Sequence, residues 1–453
     1  MLALGIAGSL VASGWHDVSQ GYDVWYYHLP FAARLVGLLD PAVYAFSSDN
    51  QPRFEGFPLF AELLQGLVWR VTGRVEATSF VSLGALFALP FTLWKWFRVP
   101  AGIALVAFLA IPLVHIHATA GYVDLPANAG ATLLVLLVYR RLASSGPPAV
   151  RELVAAAALA AATANSKFQL VPIVAISALA MLVITIRRGA TWGRMLVFAV
   201  ALPLVFTTPI KNVLRHGNPV WPVELTVLGH AFPYVEAAYA QSPPHLAASS
   251  RPVRFARSVL EVDNRPIATH GRWSLDQWAP PSDPSCRMGG YFGAYVAVLL
   301  VGVFAAAFRS RDGRIAAAVL GAVTLLAAFV PQSHELRYYM HWMLLLVSFN
   351  LIAWTRERAP VRLAFAIVAL AALAVVAWST DGGYLYPSGS SFATYLARRG
   401  DPDVIASTAP GERICVARQP LTFLYAPLFH PGKRYELQEW SSEADCKGAR
   451  RIP

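Results

Sequence analysis

The sequence predicts an all-α polytopic membrane protein of about eleven transmembrane helices, with a juxtamembrane helix in the first outer loop and a small α/β outer C-terminal tail. Three observations carry this. Apolar residues make up 56% of the 453 residues and charged ones 14%, well below the roughly 25% of soluble domains, so the chain cannot cover a globular surface with polar groups. Apolar runs recur near the roughly 20 residues that a spanning helix needs. Basic residues then gather in alternate short loops. The formal net charge of +11 alone would permit a nucleic-acid partner, but the hydropathy places the chain in a bilayer and leaves no nucleic-acid partner expected.

The first run, residues 2–15, has no basic leader and no small-residue cleavage motif, and so reads as a first span. Further runs lie near 76–96, 99–118, 122–140, 152–167, 168–186, 195–211, 290–308, 315–331, 338–355 and 361–379. Five alternate loops hold fourteen basic residues, among them Arg140, Arg141, Arg187, Arg188, Arg309, Arg356 and Arg358, whereas the short loops opposite hold only Lys167 and Arg337. By the positive-inside rule the Arg-rich loops are cytoplasmic. Three hydrophilic pieces fall outside: loops at about 16–75 and 212–289, and a tail over 380–453 following a membrane domain over 1–379. The localisation expected is the bacterial inner membrane, with the active site facing the periplasm.

Within the first loop, Phe57-Pro58-Leu59-Phe60 followed by Leu63, Leu64, Leu67, Val68 and Val71 forms a helical stripe broken by Glu62, Gln65 and Arg70, the pattern of an amphipathic helix at a membrane surface. In the tail, Arg413–Ala417 and Leu421–Tyr425, bounded by Pro/Gly signals, read as short strands. All three cysteines, Cys286, Cys415 and Cys446, fall on the outer side, where a bridge is permitted; Cys415 with Cys446 is the pairing expected, set against three unpaired thiols.

The chain has no GxxxxGK[ST] loop, GxGxxG fingerprint, GxSxG elbow, CxxC or HExxH, so nucleotide-driven transport, dinucleotide chemistry, α/β-hydrolase chemistry and structural zinc lack their usual signatures. The informative segments stand at outer span ends. Asp23 sits among Tyr22, Trp25, Tyr26 and Tyr27 with His28 beside them. A carboxylate there can take a proton from a hydroxyl; an interfacial aromatic belt accounts for the same run. Asp124 begins a span close to His115 and His117, where helix capping is a sufficient structural role for the acid and interfacial packing one for the histidines. On one side of the membrane, however, Asp23, Asp124 and the histidines form a set able to hold a substrate hydroxyl or a hard divalent cation. Lys167 and Arg337 oppose the positive-inside tendency. A phosphate at headgroup level explains both, since Arg offers a bidentate fork and Lys a point charge; snorkelling is the alternative. Lys211 and Arg215 open the second outer loop and could contact headgroups or a phosphorylated substrate.

Taken together, Asp23 with Tyr27-His28-Leu29-Pro30, Gly56-Phe57-Pro58-Leu59, Gly121-Tyr122-Val123-Asp124-Leu125-Pro126, Gly217-Asn218-Pro219-Val220-Trp221-Pro222 and Arg337-Tyr338 resemble bacterial integral-membrane glycosyltransferases of the GT-C class, which include the protein mannosyltransferase and lipid A aminoarabinose transferase families. The resemblance implies transfer of a sugar from a polyprenyl-phosphate carrier to an acceptor glycan, lipid or protein at the outer face, with membrane lipid as the surroundings. It implies Asp23 as general base or acceptor-positioning group, Asp124 as the second outer-loop acidic residue and Arg337 near the carrier phosphate; by charge and position Lys167 and Arg215 are expected with Arg337 around the donor phosphate, and Tyr27, His28, His117 and Tyr338 as substrate contacts. No cofactor is fixed by it; a divalent cation, Mg or Mn, is compatible, although Asp23-Val24 stands where many relatives have paired acids. The competing class is a lipid or solute transporter of the envelope, which would carry ionisable residues or Gly/Pro breaks near mid-span.

Overall fold

The computed structural model describes residues 1–238, 242–262, 264–267, 269–274, 289–380 and 382–452. Every predicted apolar run contains a helix, but the helices are not alike. Asp124–Ala143 and Met340–Trp354 are buried on nearly all sides and form the centre of the bundle. Val171–Gly189, Trp192–Val205, Arg311–Phe329 and Ala359–Ser379 lie at its perimeter. Their rows of Ile176, Leu179, Val183 and Ile186, or Leu363, Ile367 and Leu370, face outward with no protein over them, a surface that only lipid would cover.

The protein is a multi-pass membrane protein, but the eleven predicted runs are not eleven long spans. Among the described residues, four helices are long and apolar enough to cross a bilayer, or five if Trp192–Val205 and Thr207–His216, bent by 50°, count as one. The others are shorter, interrupted or, like Asp124–Ala143, less apolar. The predicted 99–118 span divides into Ala101–Leu109 and Pro112–His117, because Pro112 lacks a donor and its ring disfavours a helical residue before it. Ile111 is extended there, and the Leu113 N–H donates to Gly290 O at 3.0 Å.

The first-loop helix, Phe60–Thr72, points its faces the other way from a helix on a soluble protein. Phe60, Leu64, Leu67 and Val71 are exposed, whereas Glu62 and Gln65 are 2% and 0% exposed. With lipid outside, the apolar stripe turns out and the polar breaks turn in. Immediately after Asp23 the chain winds through a π-helical turn, Val24–His28, a local widening of the helix that is frequent at functional sites.

The C-terminal subdomain is built on a parallel sheet in the order Tyr44–Ala45, Glu436–Glu439, Arg413–Val416, Arg450–Ile452. Its first strand therefore comes from the first loop. Leu421–Tyr425, predicted as a strand, is instead a 3-10 turn; Pro420 and Pro427 bracket it, and Phe423, Leu424 and Tyr425 pack inward. Trp25, Phe31, Tyr44, Phe423 and Leu437 share one core, so the subdomain and the first loop are packed as a unit. Cys415 and Cys446 are bridged, with Cα atoms 5.4 Å apart; Cys286 lies outside the described residues. Glu439 locks this unit together. It accepts from the Ser47 N–H at 2.9 Å, from Asn50 Nδ2 at 3.0 Å and from the Tyr44 hydroxyl at 3.2 Å, and Asn50 Nδ2 also donates to Tyr26 O at 2.9 Å.

The second loop is anchored by a buried acid of its own. Glu261 pairs with Arg272 at 2.6 Å and accepts from Trp273 Nε1, Gly290 N and Phe292 N. Across to the first loop, Arg53 forms a two-pronged bond with Glu236 at 2.9 and 3.0 Å. Gly56 lies so close to Trp221 that a Cβ would stand 2.2 Å from the Trp221 carbonyl oxygen, which explains why the two loops need a glycine at this crossing.

Candidate active site

The residues singled out from the sequence arrive from four separate segments. Asp23 stands at the start of the π-helical turn and Asp124 at the first turn of its helix. Lys167 precedes a 3-10 turn at Phe168–Leu170, and Arg337 and Tyr338 lie in the one at Leu336–Tyr339. Asn128 ties two of these together. Its Nδ2 donates to Asp124 O at 2.8 Å and to Arg337 O at 3.1 Å, while its Oδ1 accepts from the His341 N–H at 3.0 Å and lies 2.9 Å from His341 Nδ1. One buried amide therefore fixes the Arg337 turn against the helix that presents Asp124.

Two ion pairs result, side by side. Arg337 Nη1 donates to Asp23 Oδ2 at 2.9 Å, and Arg337 Nη2 donates to the Tyr338 hydroxyl at 3.2 Å. Lys167 Nζ donates to Asp124 Oδ1. Tyr338 sits between the cations: its ring lies 4.3 Å beneath Lys167 Nζ and 5.0 Å from the Arg337 guanidinium carbon, contacts that favour cations over an aromatic face. Asp23, Tyr27, Lys167, Arg337 and Tyr338 are each partly exposed, whereas Asp124, His28 and His117 are buried. The cluster is thus open on the Asp23–Arg337 side and closed behind Asp124.

A third pair lies beneath the aromatic residues. His28 Nδ1 and Glu62 Oε1 are 2.8 Å apart, with both side chains 3% exposed. The His28 ring lies 4.2 Å from that of Tyr27 and 6.0 Å from that of Tyr122. Next to it, Gln65 Nε2 donates to Gly121 O at 2.8 Å, and His117 Nδ1 contacts Leu113 O at 2.7 Å with its ring 5.3 Å from Tyr122. Four buried polar atoms here have no hydrogen-bond partner among the described residues: Glu62 Oε2, Gln65 Oε1, His117 Nε2 and Arg337 Nε. Such groups are rare in a folded protein and mark a place that a ligand or water completes.

Of the nine residues expected at the site, the structure gathers Asp23, Asp124, Lys167, Arg337, Tyr27, His28, His117 and Tyr338. It does not gather Arg215. That side chain is exposed on Thr207–His216, its neighbouring charge is Lys211, and Lys211 itself donates to Glu55 O at 2.6 Å. The amphipathic helix carrying both residues turns them to the surface, and position in a loop gave no means of seeing this. His115 is buried beside Tyr384 at 6.2 Å between ring centroids, where the packing role suffices. Glu62, Gln65, Asn128 and His341 join the site unannounced. The signal for the first two was their recurrence at helical spacing inside an apolar stripe; the other two are polar residues within spans, itself a functional pointer.

The donor set does not suit a divalent cation. Asp23 and Asp124 are each neutralised by a basic side chain, and among the described residues no three His, Cys, Asp or Glu side chains come together as ligands. Two cations beside two carboxylates suit a different guest, an anion able to displace a carboxylate from its partner.

No family model matches the chain, and no curated protein matches it. Solved structures do. A crystal structure of ArnT from Cupriavidus metallidurans bound to undecaprenyl phosphate aligns with TM-score 0.54 and 13% identity, covering 99% of this chain and 88% of that one. The apo form of the same protein aligns with TM-score 0.51 and 12% identity, covering 98% and 85%. The likeness covers nearly the whole chain, which shares the fold of that protein.

Proposed function

We propose that this GT-C-fold chain is a glycosyltransferase that moves a sugar from a polyprenyl-phosphate carrier to an acceptor hydroxyl, with inversion at the anomeric carbon, on the periplasmic face of a bacterial inner membrane. The observation that carries the reading is the Asp23–Arg337 pair, partly open and flanked by Lys167–Asp124. The bound carrier in the ArnT structure supports the choice of donor, and the Arg-rich loops at the opposite ends of the helices support the orientation.

The chemistry follows from exchange of partners. The carrier phosphate takes the Arg337 fork, including the unpartnered Nε, and draws on the Lys167 charge. Losing Arg337 leaves the Asp23 carboxylate free to accept a proton. As the acceptor oxygen forms its bond to the anomeric carbon, its proton passes to Asp23. The bond from that carbon to the phosphate oxygen breaks on the far side, and its electron pair stays with the departing polyprenyl phosphate. Arg337 and Lys167 stabilise the charge growing there, the electrostatic contribution usually largest in such sites. Asp124, buried behind Lys167, holds that ammonium in place. Glu62 fixes His28 through Nδ1 and leaves Nε2 to the acceptor, with Tyr27, Tyr338 and His117 lining the sugar and acceptor space.

A transfer assay with the purified protein tests the reading, using labelled polyprenyl-phosphate sugars as donors and envelope lipid, glycan and protein fractions as acceptors. Label passing to an acceptor only when the sugar is carried on polyprenyl phosphate supports it. Carrier-dependent uptake of intact donor into vesicles without bond cleavage would instead favour a transporter.

A further inference from the structure

Far from the Asp23 cluster, roughly 22 Å along the Asp124–Ala143 helix at ~1.5 Å per residue, a cavity of about 210 Å³ opens between that helix and the ends of Gly293–Arg309, Arg311–Phe329 and Met340–Trp354. It lies on the Arg-rich face. Its rim is two ion pairs that link the turn between the second and third of these helices to the segment after the fourth: Arg309 with Glu357 at 3.0 Å, and Arg356 with Asp312 at 2.7 Å. Both arginines are more than half exposed, and pairs of that kind hold weakly in water. The walls below are apolar, with Val303 and Phe349 among them.

Tyr139 supplies a second, independent observation. It lines the cavity and is 3% exposed, with its ring packed 5.0 Å from that of Phe349, yet its hydroxyl makes no hydrogen bond among the described residues. A buried phenol usually finds a partner. Here the space in front of it is the cavity, and the charges nearest to it across that space are Asp312 and Arg356.

We propose that this cavity binds the headgroup of a zwitterionic membrane phospholipid carrying a phosphate and a primary ammonium. The rim is matched to such a guest in sign and number. Arg309 and Arg356 take the phosphate, Asp312 and Glu357 take the ammonium, and the Tyr139 hydroxyl donates to a phosphate oxygen. A purely anionic headgroup would leave two carboxylates facing its phosphate without a counter-charge. A quaternary ammonium has no N–H to donate to them. The site is independent of sugar transfer.

The test is lipid binding to the full-length, delipidated protein in detergent, read by native mass spectrometry. Phosphatidylethanolamine binds more tightly than phosphatidylglycerol or phosphatidylcholine of the same acyl chains. Tyr139→Phe, which keeps the ring, weakens phosphatidylethanolamine about threefold to tenfold, the worth of one hydrogen bond, and Glu357→Gln, which removes a carboxylate that takes the ammonium, narrows the preference among headgroups. Soluble phosphoethanolamine competes only at concentrations far above the lipid, because it lacks the acyl chains. Equal binding of the three lipids, undiminished phosphatidylethanolamine binding by Tyr139→Phe, an unchanged preference in Glu357→Gln, or displacement by inorganic phosphate as effective as by phosphoethanolamine would overturn the proposal. Should Glu357→Gln not purify, Tyr139→Phe decides alone.

Discussion

Asp23 and Arg337 are 314 residues apart in the chain and 2.9 Å apart in the folded protein. The pair is made possible by Asn128, whose single amide holds the Arg337 backbone against the Asp124 helix, and by the π-helical turn that starts at Asp23. A carboxylate held by a guanidinium in a partly open site is a resting arrangement that a phosphate can replace. The predictions below follow from that exchange.

Arg337→Lys keeps the charge and loses the fork. Losing one or two charge-assisted hydrogen bonds corresponds to about 10- to 100-fold, so kcat/KM for the donor should fall by that factor with expression and thermal unfolding close to wild type. Steady-state kinetics at limiting donor check this, and full activity of Arg337→Ala would return the residue to lipid snorkelling.

Glu62 acts through His28. Glu62→Gln retains a group able to accept from Nδ1 but lowers the charge behind the imidazole, so kcat should drop about tenfold with donor KM unchanged, a positioning effect smaller than loss of a general base at about 10²–10⁴-fold. Glu62→Ala leaves His28 buried without its partner and should unfold the protein more readily, at a cost of about 3–5 kcal/mol. Comparing kcat, KM and melting temperature for the two variants separates these effects.

Burial pushes the Glu439 carboxyl up to about 7 despite its three donors. In the unfolded chain a Glu titrates near 4.3, so between that value and about 7 the folded state holds more protons than the unfolded one. Stability should therefore fall as pH rises through this window and level off on either side. Thermal unfolding from pH 4 to pH 8 should show the decline in wild type, and Glu439→Gln should flatten it.

Cysteines placed at Asp403 in the C-terminal subdomain and at Arg311 between two Arg-rich helix ends should respond oppositely to a membrane-impermeant thiol reagent on intact cells. The first should label and the second should not; the reverse pattern would invert the topology.

How much could be seen in advance depended on which solvent each residue was assumed to meet. The apolar runs and the Arg413–Val416 strand were legible because hydropathy and turn signals are local. Eight of the nine residues singled out from the sequence stand together in the fold, and Lys167 and Arg337 stood out because charge at the sparsely basic helix ends is costly unless used. Glu62 and Gln65 were visible only as breaks in an apolar stripe, since an amphipathic pattern tells two faces apart without telling what the polar face packs against. The Tyr44–Ala45 strand rests on pairing with Glu436–Glu439 far along the chain, a contact that no local pattern encodes. Arg215 was placed by its loop alone, and its exposure on a helix only the fold could reveal.

The central claim is that Asp23 takes the acceptor proton. Asn can copy the geometry of Asp and its hydrogen bond from Arg337 but cannot serve as a base at neutral pH. The deciding measurement is sugar transfer by purified Asp23→Asn at matched protein level and saturating donor, alongside binding of the polyprenyl-phosphate carrier. Turnover reduced by about 10²–10⁴-fold with carrier binding and melting temperature preserved is the expected result. Retention of at least half of the wild-type rate would contradict the assignment and move the search for the base to Asp124.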